Sequence, residues 1–282
     1  MLRFAYNTNG CINHRLDDAL DLIADAGYAG VTLTIDFPHV DPFADDYEAA
    51  AERLGRRLAD LDLALAVETS ARYLLDPRNR FEPTLLDPSA EGRARRIEFL
   101  KRAIRICALC GGESVTFSSG RPRRGVSGQD AGGWLLDGLK QVADAAAQAG
   151  VVAALEPGPG HIVSTLDDFG LVRETLKQMT DAPLLLALDA GHCLVTGERE
   201  PEAAVKEFAP VIGAVQLEDM KRGVHRHLPF GEGDMNVSAV LAALEEIGCE
   251  RLVTVELVHE SFRAAEAIPE ALDWLHAHLP SD

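Results

Sequence analysis

One pattern recurs eight times along the chain: a short run of aliphatic or β-branched residues, then a longer stretch with apolar residues at helical spacing. The short runs predict buried strands, and the longer stretches predict amphipathic helices. The predicted strands are Arg3–Tyr6, Gly30–Ile35, Ala64–Glu68, Ser114–Phe117, Val151–Glu156, Leu184–Asp189, Ala214–Leu217 and Leu252–Glu256. Strands that alternate with helices in this way favour a parallel sheet.

The number and length of these units favour one α/β fold. The predicted helices are Arg15–Ala26, Asp46–Asp62, Gly92–Cys110, Asp130–Ala149, Leu166–Met179, Glu202–Phe208, Val237–Ile247 and Ala264–His278. Eight strand–helix units in 282 residues match the size of a (β/α)₈ TIM barrel. No Pro- or Ser-rich linker divides the sequence, so a single barrel is predicted over residues 1–282. An open doubly wound sheet is the competing fold, but no G-x-G-x-x-G motif follows the first strand.

The charge balance of the chain bears on whether its binding partner is a nucleic acid. The chain carries 45 acidic residues against 27 Lys and Arg, a formal net charge of −18. Such a chain repels a polyphosphate, so a general nucleic-acid-binding role is disfavoured. It contains no run of about 18 apolar residues that would span a membrane. Five widely spread cysteines and an N-terminus without a basic-then-apolar leader predict reduced thiols and a cytoplasmic protein.

Polar side chains end the last four predicted strands, where the chemistry of such a barrel takes place. These side chains are Glu156, Asp189, Gln216 and Glu256. Two residues earlier, on the same face of each strand, come Ala154, Ala187, Ala214 and Thr254. A packed barrel interior favours bulky Val, Ile and Leu, so a layer of small residues beneath four polar groups leaves room for a ligand.

The same four side chains predict a metal site. Unpaired carboxylates gathered in a barrel mouth repel one another, and a cation is the simplest way to offset that repulsion. Three carboxylates and one amide oxygen form a hard donor set that suits Mn²⁺ or Mg²⁺ better than Zn²⁺. We therefore expect Mn²⁺ as the cofactor, with Mg²⁺, Co²⁺ and Zn²⁺ as alternatives.

Four segments carry a resemblance that covers essentially the whole chain: LEPGPG, LDAGHC, QLEDMKRGVHRHLPFGEGDM and VEL. In them the chain resembles the xylose-isomerase-like TIM-barrel superfamily, which includes sugar and sugar-phosphate isomerases, ketose 3-epimerases and abasic-site endonucleases. The resemblance implies that a Glu, an Asp, a His and a Glu from the last four strands hold the metal. By position these are Glu156, Asp189, Gln216 and Glu256. This chain departs at the third position, where Gln216 replaces the usual His.

The resemblance to ketose 3-epimerases implies roles for individual residues. Glu156 and Glu256 would lie on either side of a substrate carbon and carry its proton. His192 and Arg222 would bind substrate oxygens, and the spacing of Arg222 from the third metal ligand agrees with the family. Arg72, after the third predicted strand, is a further candidate for lining the pocket.

His225 and His227 form a second candidate cluster. Residues two apart on an extended segment face the same way, so both could reach one ion together with His192. The resemblance to the endonuclease branch implies an additional zinc at this place. Other parts of that branch's metal set are missing, because Thr69 and Ser118 stand near the positions of its early histidines. Substrate hydrogen bonding by the two histidines is the favoured interpretation, and loop packing is the alternative.

A basic loop stands out against the acidic background. Arg121, Arg123 and Arg124 follow the fourth predicted strand, on the side of the barrel where the pocket is expected. This loop is a candidate for holding a phosphate or carboxylate of the substrate. The arginines of the preceding helix, Arg96 among them, are expected to form a solvated face.

These observations predict a divalent-metal-dependent isomerase or epimerase of a sugar or sugar derivative. The metal would chelate the carbonyl and a neighbouring hydroxyl oxygen. One glutamate would remove the adjacent proton to give a metal-stabilised enediolate, and the other would return a proton from the opposite face. The alternatives are an endonuclease-like phosphodiesterase, a keto-polyol dehydratase and a non-catalytic sugar-binding barrel. The expected partner is a small sugar or sugar phosphate, and a homo-oligomer is left open because members of the family often form dimers or tetramers.

Overall fold

Eight parallel strands close into a barrel in the computed structural model, which describes residues 1–36 and 39–280. The strands of the chain are β1 (Arg3–Asn7), β2 (Gly30–Thr34), β3 (Ala64–Glu68), β4 (Ser114–Ser118), β5 (Val152–Glu156), β6 (Leu185–Asp189), β7 (Ile212–Leu217), β8 (Asp219–Lys221), β9 (Val224–Leu228) and β10 (Leu252–Val255). Strands β8 and β9 form a separate antiparallel hairpin. The other eight form the barrel, which closes because β1 pairs with both β2 and β10. The predicted TIM barrel is therefore confirmed.

Helices follow the barrel strands. They are α1 (Leu16–Asp25), α2 (Tyr47–Asp60), α3 (Ala90–Leu109), α4 (Gly128–Ala149), α5 (Leu166–Leu176), α6 (Ala190–Thr196), α7 (Pro201–Phe208), α8 (Val237–Glu246) and α9 (Ala264–Ala277). Several begin at a side-chain cap: the hydroxyl of Ser89 accepts the Gly92 N–H at α3, and that of Ser127 accepts the Asp130 N–H at α4. Helix α4 ends at Gly150, whose φ of 70° is readily adopted only by glycine. Within the described residues, no helix has the length and apolarity that a membrane crossing requires.

Alternation along the strands separates the main core from the barrel interior. On β2, Val31 and Leu33 point outward and are buried in the large core between barrel and helices. Thr32 and Thr34 point inward, and the Thr32 hydroxyl lies 2.7 Å from that of Thr254. The helices therefore cover an apolar outer face, while the interior of the barrel is left for small and polar side chains.

A ring of polar side chains lies at the carboxyl end of the barrel. The last inward-facing residues of the eight strands, taken in chain order, are Asn7, Thr34, Glu68, Ser118, Glu156, Asp189, Gln216 and, directly after β10, Glu256. One layer below, the predicted small residues Ala154, Ala187 and Ala214 pack together. The barrel mouth is thus polar on every strand and not only on the last four.

Two elements near the mouth were missed by the sequence prediction. Helix α6 starts immediately after β6, because the side chain of Asp189 accepts the backbone N–H of His192 at 3.0 Å and caps the helix. The β8–β9 hairpin turns at Gly223, which has a φ of 73°. Its base is fixed by Asp219, whose carboxylate accepts three backbone N–H groups of residues 231, 233 and 235 at 2.9–3.1 Å.

Candidate active site

A cavity of about 220 Å³ opens at the carboxyl ends of the strands. One set of polar side chains that line it comes from strand ends, from α6 and from the hairpin: Glu68, Glu156, Gln216, Glu256, His192, His225 and His227. A cavity with several convergent polar groups at this end of a TIM barrel is the expected place for a substrate.

Glu156, Asp189 and His192 form the first polar group: Glu156 and His192 line the cavity, and Asp189 lies beside them. Glu156 Oε1 lies 3.4 Å from His192 Nδ1, and Asp189 Oδ2 lies 3.3 Å from His192 Nε2. His192 Nδ1 donates to the Pro157 carbonyl at 3.0 Å, so Nε2 is the ring nitrogen that faces Asp189 and His225. Asp189 is buried, and its Oδ2 atom has no hydrogen-bond partner among the described residues. This geometry can supply one ligand atom each from a Glu, an Asp and a His to a single ion.

Gln216 and Glu256 are joined directly. Gln216 Nε2 donates to Glu256 Oε2 at 2.7 Å, and Asn9 Nδ2 donates to Glu256 Oε1 at 2.7 Å. Gln216 is 4% exposed, and in the part of the chain that the structure describes its Oε1 atom accepts no hydrogen bond. A buried carbonyl oxygen left in this state is a candidate ligand, because buried polar atoms almost always have a partner.

These atoms fit a hard divalent cation. Carboxylate and amide oxygens are the donors that Mg²⁺ and Mn²⁺ favour, and two of them, on Asp189 and Gln216, lie buried and unpartnered within residues 1–36 and 39–280. The four predicted ligands end neighbouring strands in the order β5, β6, β7, β10. Their assignment as ligands stays a prediction.

Glu218 lies beside this cluster and was missed by the sequence analysis. Its side chain is fully buried, and neither carboxylate oxygen forms a hydrogen bond within the described ranges. Oε2 lies 3.7 Å from Nδ1 of His227, and burial and the charge of Asp189 raise the pKa of Glu218. Glu218, His227 and Glu256 form a second group with ligand atoms within 4.8 Å of one another. The available signal was its position two residues after Gln216, on the same face of the chain.

His227, the histidine of the second group, contacts the chain directly after β10. Its Nδ1 atom lies 3.2 Å from the backbone carbonyl of Glu256. Burial opposes protonation, but the carboxylates of Glu218, Glu256 and Asp189 outweigh it and raise the pKa of His227 to about 10. The ring is therefore an imidazolium at neutral pH in the metal-free site.

His192 and His225 are in direct contact, as their predicted convergence requires. Their Nε2 atoms lie 3.0 Å apart and their ring centroids 4.7 Å apart. The centroid of His227 lies 5.7 Å from that of His225. Burial and the neighbouring His192 lower the pKa of His225 to about 4, so this ring is neutral at pH 7. All three predicted histidines thus meet over one side of the cavity.

Glu68, at the end of β3, also enters the cavity and was also missed. Burial and then the charge of Glu256 raise the pKa of Glu68 to about 7. The Thr34 hydroxyl lies 2.9 Å from Glu68 Oε2 and 2.7 Å from Asn7 Oδ1. One hydroxyl hydrogen cannot serve two acceptors, so the protonated form of Glu68, donating to the Thr34 oxygen, accounts for both contacts. The alternation Ala66-x-Glu68 carried the same signal as the last four strands.

Two predicted substrate-binding residues point elsewhere. Arg222 is 54% exposed, and its Nη2 atom binds both carboxylate oxygens of Glu200 at 2.7 and 2.9 Å. The turn of the hairpin carries it to the surface, so in this structure it does not reach the cavity where it was expected to bind substrate oxygens. Arg72 Nε binds Asp36 Oδ2 at 2.8 Å and joins the loops after β3 and β2. Neither arginine is among the described residues that line the cavity.

The family follows from comparison with known proteins. Residues 20–278 match the model of the xylose isomerase-like TIM barrel family. The chain belongs to this family. It is also similar to L-ribulose-5-phosphate 3-epimerase UlaE of Salmonella paratyphi C, with 26% identity over 260 residues that cover 88% of this chain and 87% of the relative.

Solved structures share the barrel of this family. The structure of an L-ribulose 3-epimerase matches 99% of this chain and 95% of its own, with a TM-score of 0.78 and 21% identity. IOLI protein, crystallised with a binding zinc atom, matches with a TM-score of 0.76, 19% identity and coverage of 99% and 98%. The 3-keto-D-glucoside 4-epimerase YcjR from E. coli gives 0.78 and 17%, covering 98% of this chain and all of its own. At these identities the likeness establishes the fold alone.

Proposed function

We propose that the protein is a divalent-metal-dependent epimerase or isomerase of a ketose or ketose derivative. One observation carries the proposal: Glu156, at the end of β5, and Glu256, directly after β10, line the same cavity. Two carboxylates in one cavity can exchange a proton with a substrate carbon placed between them. Family membership and the names of the similar epimerases support the same class.

Glu156, Asp189, Gln216 and Glu256 would hold the metal. When bound, a divalent cation supplies Lewis-acid stabilisation of negative charge on the substrate oxygens. Mn²⁺ is the proposed ion, since three carboxylates and an amide oxygen form a hard set. The Gln216 amide nitrogen is committed to Glu256, which directs the oxygen Oε1 toward ligation.

The protein groups around the two glutamates suit proton transfer. Asn9 and Gln216 fix the orientation of the Glu256 carboxylate through two N–H groups at 2.7 Å. Burial, then the charges of Asp189 and Glu256, raise the pKa of Glu156 well above its ordinary value, which favours its protonated form in the metal-free site. In an epimerisation one glutamate removes the proton and the other returns one, and the roles reverse with the direction of reaction. His192 and His225 lie within the same cavity and are proposed to bind substrate hydroxyls.

The proposed substrate is a ketopentose or a closely related ketose, free or phosphorylated. A cavity of about 220 Å³ is below the usual range of small-molecule sites and suits a short sugar. The similarity to an L-ribulose-5-phosphate 3-epimerase supports proton exchange at carbon 3.

Solvent exchange tests this proposal. Wild-type protein, loaded with Mn²⁺ in D₂O, is expected to place deuterium on carbon 3 of L-ribulose or its 5-phosphate, as followed by NMR. Glu156→Gln and Glu256→Gln should each reduce exchange at least about 1,000-fold, because each removes one proton carrier. Glu232→Gln, on an exposed glutamate, is the matched control. Exchange at the wild-type rate in either cavity variant would overturn the proposed roles.

A phosphodiesterase is the second candidate, and the contact between His192 and His225 favours it. Three histidine rings over one side of the cavity resemble the additional zinc site of the endonuclease branch. Metal stoichiometry separates the two functions. About one Mn²⁺ per chain supports the epimerase, whereas two or three zinc ions with cleavage of a phosphodiester support the nuclease.

We also propose that the protein works in a reducing compartment, the cytoplasm. All five cysteines lie in the described part of the chain and are free thiols. Fractionation of the source cells would test the location.

A further inference from the structure

Arg96 is a buried arginine on the side of the cavity formed by the loops after β3 and β4. It was expected on a solvated helix face, yet it is 3% exposed and lines the cavity. Nη2 donates to the Thr69 carbonyl at 2.9 Å, while Nε and Nη1 find no hydrogen-bond partner in residues 1–36 and 39–280. An arginine buried this deeply normally has its donors satisfied. The two unused nitrogens therefore indicate an acceptor that a ligand supplies.

The neighbouring acids are engaged elsewhere. Glu82 Oε2 pairs with Arg123 Nη2 at 2.8 Å, and Glu68 Oε2 lies 2.9 Å from the Thr34 hydroxyl. Both charges reach Arg96, but within the described residues neither carboxylate accepts a hydrogen bond from it. Burial still lowers the pKa of Arg96 to about 10, so these acids offset its desolvation only in part. The positive charge of the Arg96 guanidinium is therefore only partly compensated by neighbouring acids.

Two further nitrogen-bearing side chains lie at this end of the cavity. Arg121 lines the cavity from its exposed rim, and His161 lies between the loops after β4 and β5. His161 Nδ1 is buried and unpartnered as far as the described chain extends. Burial, then Arg121 and more weakly His192, His225 and Arg96, lower the pKa of His161 to about 4. A neighbouring anion would offset the positive charges that act on this ring.

We infer that Arg96 and Arg121 form an anion subsite for an oxyanion carried by the substrate, a phosphate or a carboxylate. The inference rests on the proposed function only in taking the substrate to be a sugar derivative. The cavity then has two unlike ends. The carboxylates of Glu156 and Glu256 face the reacting carbons, and the guanidinium groups bind the charged terminus. Planar guanidinium groups bind phosphate and carboxylate through paired N–H donors.

Binding of inorganic phosphate tests the subsite without any turnover. Titration calorimetry should show about 10–100-fold weaker phosphate binding in Arg96→Gln than in wild type, the loss expected for charge-assisted hydrogen bonds. Arg95→Gln, the adjacent exposed position on α3, is the matched control and should bind as wild type does. Equal affinity in Arg96→Gln and wild type would overturn the subsite. That result would leave the deuterium-exchange test of the two glutamates untouched.

Two further variants guard against a folding defect. Arg96→Lys keeps the charge but removes the planar donor pair, and Arg121→Gln changes an exposed side chain. Each is expected to weaken phosphate binding severalfold while far-ultraviolet circular dichroism stays unchanged. If Arg96→Gln is unfolded, unchanged phosphate binding in both of these variants refutes the subsite.

Substrate pairs identify the anion. The three substrates to compare are a ketopentose 5-phosphate, a ketouronate and the neutral ketopentose. The Arg96 and Arg121 variants should raise KM for one of the two charged sugars and leave KM for the neutral sugar within about twofold of wild type. An effect confined to the phosphate assigns a sugar phosphate, and one confined to the carboxylate assigns a sugar acid. Equal effects on all three would contradict the inference.

Discussion

Gln216 Nε2 donates a 2.7 Å hydrogen bond to Glu256 Oε2 and thereby ties the end of β7 to the end of β10. The amide nitrogen of Gln216 is thus occupied by this hydrogen bond. Its oxygen, Oε1, has no partner among the described residues and is the atom that can bind a cation. A histidine at this position can also ligate with one nitrogen while donating with the other. Gln216 therefore preserves both tasks with a harder donor atom.

Replacing Gln216 should weaken metal binding. Gln216→Ala removes an oxygen ligand and one of the two N–H groups that orient Glu256, so Mn²⁺ affinity is expected to fall at least about 10–100-fold. Titration followed by electron paramagnetic resonance measures the change. Gln178→Ala, on an exposed glutamine, serves as control. Unchanged Mn²⁺ affinity would exclude Gln216 from the site.

Glu68 should make stability depend on pH. Its folded pKa of about 7 lies above the ordinary value of 4.5, so the unfolded state loses this proton first as pH rises. Relative to Glu68→Gln, wild type should lose about 3 kcal/mol of unfolding free energy between pH 4.5 and 7, and no more above pH 8. Urea unfolding of EDTA-treated protein measures this difference. Glu52→Gln, an exposed control, should follow the wild-type profile, and an equal loss of stability in wild type and Glu68→Gln would contradict the prediction.

The contact between His227 and Glu218 should stabilise the metal-free fold. The pKa of His227 is raised to about 10, so its contribution is complete below pH 6.5 and is lost as pH rises through 10. His227→Gln leaves the Glu218 carboxylate buried without its cation, and about 3 kcal/mol of stability should disappear at pH 6.

A double variant separates that effect from simple packing. Glu218→Gln in the His227→Gln background removes the stranded charge and should restore most of the loss in a urea melt. Additive destabilisation by the two substitutions would show that the two side chains do not act on each other.

Arg222 should be dispensable for turnover. Its guanidinium pairs with Glu200 on the surface, so Arg222→Ala is expected to leave kcat and KM within about twofold of wild type. Steady-state assays with the ketose of the exchange experiment measure both constants. A large rise in KM would mean that the hairpin turns Arg222 inward when substrate binds.

The repeating pattern determined the architecture well. All eight predicted strands occur, with ends shifted by no more than two residues, since buried parallel strands read as short apolar runs between helices. Helix α6 was missed because seven residues that begin at a strand-end Asp lack a helical apolar period. The hairpin was missed because β9 is largely exposed and its sequence, VHRHL, is mostly polar.

The site was predicted less evenly. Inward direction at a strand end follows from period-2 alternation, so Glu156, Asp189, Gln216 and Glu256 could be found, and Glu68 was available by the same rule. Loop arginines obey no such period. Arg96 was expected to be exposed and is buried, whereas Arg222 was expected to bind substrate and is exposed. Helix rotation and hairpin geometry decide this, and the local sequence does not encode them.

The chain that returns from the hairpin carrying His225 and His227 is held by one carboxylate, that of Asp219, which accepts three backbone N–H groups. The hairpin over the cavity is therefore a segment of chain whose two ends are held together by a single side chain. Replacing residues 220–230 by the corresponding segment of a relative, with Asp219 retained, should change which sugar is preferred. The positions of Glu156 and Glu256 should stay the same.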